Sequence, residues 1–457
     1  MLKRRDALLG ALFGSGYIGL RALATGLPAW FLANPSKANA QELACAINAK
    51  ENLQYLIVSS SSQGDPLNCN VPGTYEAPEI IHPLAVELTP TAVTLGQKTV
   101  NAALPWASTD VGGALAPATL ARTNFFHHTT KSTVHGDQPK VMKLMGAMNR
   151  NEMLVSAYAK HLAPCFGTVQ AEPVAVGARG NATELVSFSG RTLPSISPTQ
   201  LKQLLTGARN SPLVKLRTVR DASLAKLNAM AKTDATGIQQ QFLDTLATSR
   251  TQVRQLAEAL ATTLASITAD DVNGQALAAA ALISANVTPV VTMHIGFGGD
   301  NHTDTDLADE AAQTVTGVQG IQAVMNALAT LGLTDKVTFA TLNVFGRNLN
   351  GIAKTDGRTG RDHYGNHSVA VLIGKNIAPG ITGGVAPNSN GAHAATDIDS
   401  ATGAGMPGAD VPVAQSHVAM ARTLGVALGI PAADLNPDFS ASAGGKVIAS
   451  ALNGITG

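Results

Sequence analysis

Three short segments of this chain gather the side chains that hold metal ions or move protons. The first is Gln63-Gly64-Asp65. The second is Gly298-Gly299-Asp300-Asn301-His302-Thr303-Asp304, and the third is Gly360-Arg361-Asp362-His363-Tyr364-Gly365-Asn366-His367. Carboxylate and imidazole are ligands that suit zinc or manganese. A divalent ion held by such groups acidifies a water or hydroxyl and polarises a phosphoryl oxygen. Any single Asp-x-His segment is as readily a loop turn or a surface pair. Three of them, far apart in sequence, serve one chemistry only if the fold brings them to a common edge.

The elements between them supply such an edge. Leu53–Ser59 reads as a buried strand ending in the polar loop that holds Asp65. Further strands are expected at Arg122–Phe126, Glu184–Phe188, Val287–Met293, Val337–Phe345 and Val369–Ile373. The runs LQYLIV, VTPVVTM and VAVLI are apolar along most of their length, as in strands covered on both faces, although Pro289 weakens the second. Helical patterns lie between, so an α/β fold with a mainly parallel sheet flanked by helices is expected. In such a sheet, ligands bind beyond the carboxyl ends of the strands.

Two stretches are helical by pattern. Ser197–Ala285 opens on a capping box, Ser197-Pro198-Thr199-Gln200, and continues with Val253, Leu256, Leu260, Leu264 and Ile267 at helical spacing. It is expected to be a helical insertion, residues 197–285, packed on the sheet domain. A later stripe of Val315, Val318, Ile321, Met325 and Leu328 marks another core-facing helix.

The amino terminus predicts export. Lys3, Arg4 and Arg5 precede an apolar stretch that closes at Ala38-Asn39-Ala40, an A-x-A cleavage site. Paired arginines followed by Leu8 resemble a twin-arginine signal, with Ala7 where Phe is commoner. Arg21 and Pro28 break the apolar run, so cleavage after residue 40 is expected rather than a permanent span. The expected product, residues 41–457, is periplasmic or secreted, with the twin-arginine export machinery as a partner. Of 32 basic and 31 acidic residues, five and one lie in residues 1–40; 27 and 30 remain, a formal charge of −3. That balance, without a basic stripe, argues against nucleic acid as a partner. Cys45, Cys69 and Cys165 fit no zinc motif; one disulfide and one spare thiol are expected, with three pairings open.

Several of these segments resemble a bacterial exported family called domain of unknown function 1501, whose fold is related to the alkaline phosphatase and sulfatase superfamily. Asp65-Pro66-Leu67-Asn68 is similar to its first-strand segment and Gly298–His302 to its G-W-D-T-H motif. Phe345-Gly346-Arg347 matches its F-G-R, Gly360-Arg361-Asp362-His363 its G-R-D-H, and the end from Ala421, ARTLGVALGIP, its closing helix. The resemblance implies an alkaline phosphatase-like sheet and one or two divalent ions, zinc or manganese. Asp65, Asp300, His302, Asp362 and His363 would be the ligands, with His367 a further one. It places a nucleophile after an early strand, in His127–His135. There Val134 replaces the family's serine while His135 stands, and Thr130, Ser132 or Thr133 could supply the hydroxyl. Arg347 and Arg361 could clamp an anionic ester or brace the ligand carboxylates. Gly299, Val344 and Pro66 stand where the family carries Trp, Glu and Gly. Two functions follow as expectations. One is an exported metal-dependent hydrolase of phosphate or sulfate esters; the other is a non-catalytic exported binding or surface protein on the same fold.

Overall fold

The computed structural model describes residues 45, 47, 49–177, 186–193, 195–206, 214–233, 240, 260–299, 301–350 and 360–455. The signal segment 1–40, Asp300, Val253 and Leu256 lie outside them.

Seven strands build the central sheet: β1 (Tyr55–Ser61), β2 (Thr123–His128), β3 (Val174–Ala175), β4 (Val290–Met293), β5 (Val337–Asn343), β6 (Ser368–Ile373) and β7 (Gly380–Thr382). Their order is β7-β2-β6-β5-β1-β4-β3. Every pairing is parallel except those of β6, which runs against both β5 and β2. The sheet is thus mainly parallel, with one reversed strand.

Continuous apolar runs form these strands because both faces are covered. In β1, Ile57 enters one core while Leu56 and Val58 enter the other. Phe125 and Phe126 of β2 divide the same way, as do Val371 and Leu372 of β6. On the first face lie α4 (Val272–Ser284) and α5 (Ala308–Thr330). On the second lie α1 (Leu154–Phe166) and α6 (Ser416–Ala427). Each fully buried Leu, Ile or Phe contributes roughly 1.5–3 kcal/mol, so this alternation is the main source of the fold's stability.

Some expected strands change on inspection. Pro289 lies just before β4 and serves only as an acceptor, its carbonyl taking the Leu56 N–H at 3.0 Å. Of the strand expected at Glu184–Phe188, the described part, Val186–Phe188, lies outside the central sheet and pairs with Arg191–Leu193 in a separate hairpin. Between Ser197 and Ala285 the described residues form helices, among them α2 (Pro198–Thr206) and α3 (Val214–Thr233). The Gln200 N–H meets Ser197 Oγ at 3.4 Å and Gln200 Oε1 takes the Ser197 N–H at 3.4 Å, the reciprocal pair of a capping box. Cys45 and Cys165 form the disulfide, and Cys69 is the buried free thiol. Among the described residues no helix is long and apolar enough to cross a membrane.

Candidate functional site

The carboxyl ends of β1, β2, β4 and β5 share one edge with the amino end of the reversed strand β6. All three metal-capable segments therefore open on that edge. The polar end of β1 prepares it. Ser59 Oγ takes the Ile295 N–H at 2.9 Å, and Ser61 Oγ donates to Asp65 Oδ1 at 3.1 Å.

Three imidazoles meet here. His302 Nε2 and His363 Nε2 are 3.0 Å apart, and the His135 ring stands edge-on to His363 with centroids separated by 4.6 Å. The opposite nitrogen of each ring faces oxygen. His363 Nδ1 donates to the Thr133 carbonyl at 2.8 Å and His135 Nδ1 to the Ser62 carbonyl at 2.7 Å. His302 Nδ1 stands 3.2 Å from the Asp362 carboxylate. A carbonyl only accepts, so Nδ1 carries the proton in His135 and His363; His302 Nδ1 lies within ion-pair distance of Asp362 without making a hydrogen bond to it. Nε2 is then the lone-pair atom of the His135 and His363 rings. At 3.0 Å from the lone pair on His363 Nε2, His302 Nε2 either donates a hydrogen bond to it or shares a cation with it, a proton or a metal.

Close backbone approach holds this geometry. The Gly360 N–H donates to the His302 carbonyl at 2.8 Å, and a Cβ on Gly360 would lie 1.9 Å from the Asn301 carbonyl oxygen. Only glycine lets the third segment touch the second. Gly64, at φ +62°, leaves room for the Phe345 ring, which packs on His363 with centroids 4.4 Å apart. Antiparallel pairing of Arg347 with His363 fixes the register of that strand pair.

Asp65 occupies the next loop position, and its bonds go elsewhere. Its carboxylate accepts from Ser61 Oγ and, at 3.4 Å, from the Phe297 N–H. Burial pushes its pKa up to about 6, although His294, these two hydrogen bonds and Arg347 all pull it down.

The remaining expected residues separate from the imidazole group. His367 is fully buried; its Nε2 meets His127 Nδ1 at 3.0 Å and its Nδ1 meets Asn68 Nδ2 at 3.0 Å. It is a link in an interior chain, which ends where His127 Nε2 donates to the Pro72 carbonyl at 2.9 Å. Among the described residues, the partners of both guanidiniums are protein groups. Arg347 donates to the carbonyls of Gln63, Gly64, Gly299 and Arg361, pinning three loops together. Arg361 pairs with buried Glu310, with Nε 2.6 Å from Oε2, and donates to the carbonyls of Ile81, Asn348 and Leu349. Of the candidate hydroxyls, Ser132 Oγ donates to Asp137 at 2.8 Å, inside its own loop. Thr133 is exposed and serves through its carbonyl. Thr130 is buried, and its Oγ1 has no hydrogen-bond partner among the described residues.

Sequence reading grouped His135 with the nucleophile; the fold groups it with His302 and His363. The signal was present, since His135 follows β2 at the same edge. Among the described residues no three His, Cys, Asp or Glu are already arranged to hold an ion. The donor set nevertheless fits one. Tetrahedral zinc with bonds of about 2.0–2.1 Å keeps two nitrogens roughly 3.3 Å apart, only a few tenths more than the ring pair shows.

A mainly parallel α/β sheet with a histidine-rich carboxyl edge is the class this site defines. The chain belongs to a family of proteins of unknown function, domain of unknown function 1501, whose pattern matches residues 135–401. That match runs from His135 through His363 and His367 and leaves Asp65 outside it. No curated protein matches the chain.

Proposed function

We propose that the chain is an exported metal-dependent hydrolase of phosphate or sulfate esters, on a fold related to alkaline phosphatases and sulfatases. The observation that carries this reading is the imidazole group at the sheet edge, in which His135 and His363 are held by Nδ1 bonds to carbonyls, His302 Nδ1 lies 3.2 Å from Asp362, and the His302 and His363 Nε2 atoms meet at 3.0 Å. Ligating histidines share this pattern, in which an acceptor on one nitrogen fixes the tautomer and raises the basicity of the other. A bound zinc or manganese would supply charge to acidify a water and to polarise the ester oxygen. His135, His302 and His363 would hold it, Asp362 would orient His302, and Asp65 would add a carboxylate from the next loop.

Export is supported by the twin-arginine-type start and by the Cys45–Cys165 disulfide, since structural disulfides persist mainly in oxidising compartments. A periplasmic or secreted product without a permanent span follows from this reading.

The experiment is metal analysis of purified residues 41–457 beside hydrolysis of an aryl phosphate and an aryl sulfate. Bound zinc or manganese with turnover of either ester supports the proposal. Metal without turnover would favour the second reading, a non-catalytic exported binding protein. One observation already favours that second reading: the Ser132 hydroxyl and both arginines are engaged inside the protein.

A further inference from the structure

Two buried imidazoles meet where the end of β2 packs on the start of α6. His128 closes β2 and His417 is the second residue of α6; their rings stack with centroids 5.0 Å apart and planes 18° apart. They are 1 % and 4 % exposed. His128 Nδ1 donates to the Thr129 carbonyl at 3.2 Å, whereas His417 Nε2 has neither a hydrogen-bond partner nor appreciable solvent contact among the described residues. One side-chain bond crosses the seam beside them, from the Thr129 N–H to Ser416 Oγ at 3.1 Å. The same loop runs on to Thr133, whose carbonyl holds His363 Nδ1, so the seam adjoins the imidazole group without sharing a residue with it.

This packing suits two neutral rings. The ionisable groups that act on the pair are His127 and His367 from the sheet and Lys131 from the loop, all of them bases; no carboxylate acts on either ring. A proton on His417 would make a buried cation with no acceptor at Nε2, beside an ammonium and at the helix end where the dipole disfavours positive charge. Burial accordingly holds both rings below the usual histidine range, His128 at about 4. The way out is local. His417 lies in the first turn of α6, and fraying that turn costs far less than unfolding the sheet behind it.

We infer that this seam is an acid-sensitive joint: protonation of His417 frees the first turn of α6 from β2 while the central sheet stays folded. Above the ordinary histidine pKa of about 6.5 both rings are neutral and the seam is closed. Below it the open form takes up a proton that the closed form refuses, so opening is favoured by up to about tenfold per unit of pH for each ring released. The inference holds whether or not the imidazole group binds metal.

Hydrogen exchange of residues 41–457, read by mass spectrometry at about pH 7.5 and about pH 5.5 and corrected for intrinsic exchange rates, tests it. Segment Ser416–Thr423 should open about tenfold more often, or more, at the lower pH, and more often than β1 or β5 at both. His417→Phe keeps an aromatic ring against His128 and cannot be protonated; about tenfold of that pH dependence should disappear. His417→Gln, neutral and with a hydrogen-bonding end, should do the same, and it serves where the phenylalanine variant does not fold. Opening of Ser416–Thr423 that does not change with pH overturns the inference. So does opening that keeps its full pH dependence in either variant, or that occurs only together with β1 and β5.

Discussion

Two groups of histidines stand at the same edge of the sheet, and they differ in how their nitrogens are engaged. In the interior pair, His127 donates from Nε2 to the Pro72 carbonyl, so its Nδ1 accepts from His367 Nε2, and His367 Nδ1 accepts from Asn68. Every nitrogen has one donor or acceptor role, and both rings are neutral. Burial holds the His127 pKa down to about 4 and that of His367 well below its usual value. In the half-buried group of His135, His302 and His363, two Nδ1 atoms donate to carbonyls, the third lies 3.2 Å from the Asp362 carboxylate, and the Nε2 atoms of His302 and His363 meet at 3.0 Å. The first arrangement is closed and holds the protein together. The second lies at the rim, where its imidazole nitrogens can take a cation under the function proposed above. Counting imidazoles does not separate the two; assigning their protons does.

The largest effect expected from breaking the structural side of this comparison falls on Arg361. Arg361→Met should destabilise the protein by about 3–5 kcal/mol, because Glu310 would remain buried without its partner. Chemical denaturation reads it. Unchanged stability with a raised KM would return Arg361 to the substrate.

His367→Leu comes next, at about 2–4 kcal/mol, since it strips His127 and Asn68 of a buried partner. It should leave metal content per folded molecule unchanged. A variant that folds at wild-type stability yet loses metal would move His367 into the ligand set.

Acid should weaken the protein in a definite window. His127 and His128 have folded pKa values lowered to about 4, chiefly by burial. The unfolded chain therefore binds more protons than the folded one between about pH 6.5 and 4. Their stabilising contribution is present above about pH 6.5 and is lost as pH falls toward 4, by up to about 3 kcal/mol for each ring. Asp65, raised to about 6, works in the opposite sense and offsets only part of the loss. Urea midpoints measured from pH 7 to 4.5 should fall; a flat or rising series contradicts the neutral interior rings.

Asp362→Asn should have the smallest effect on the fold, because its side chain is 45 % exposed. It keeps an oxygen near His302 Nδ1 but removes the charge, so metal affinity should fall by roughly 10-fold, with stability changed by less than about 0.5 kcal/mol.

Much of this was legible in the chain. Apolar runs such as Leu56–Val58 and Val369–Ile373 announce strands covered on both faces, and Ser197–Gln200 announces a capped helix. The three acid-and-imidazole segments point to one edge once the sheet is parallel. What local pattern does not carry is pairing across long separations. Nothing near Ser368 reveals that β6 runs backwards, and the short edge strands Val174–Ala175 and Gly380–Thr382 exist through their neighbours' open hydrogen bonds. His363 and His367 fall in one segment, and both entered the expected ligand set, His367 as a further member. Their separation follows from long-range partners: His367, just before β6, is buried against His127, while pairing with Gly346–Arg347 keeps His363 at the rim. Arg347 and Arg361 look like anion clamps until their carbonyl partners, from loops distant in sequence, are known.

The central claim, that the imidazole group is a cation site and the interior pair is not, is tested most directly by zinc and manganese binding to residues 41–457. Equilibrium dialysis would compare the wild type with His302→Ala, His363→Ala and His367→Leu. The account predicts at least one ion per wild-type molecule, affinity reduced by about 100-fold or more in the first two variants, and wild-type binding in the third. A wild type that binds neither ion, or one whose binding depends on His367 and not on His302 and His363, would contradict it.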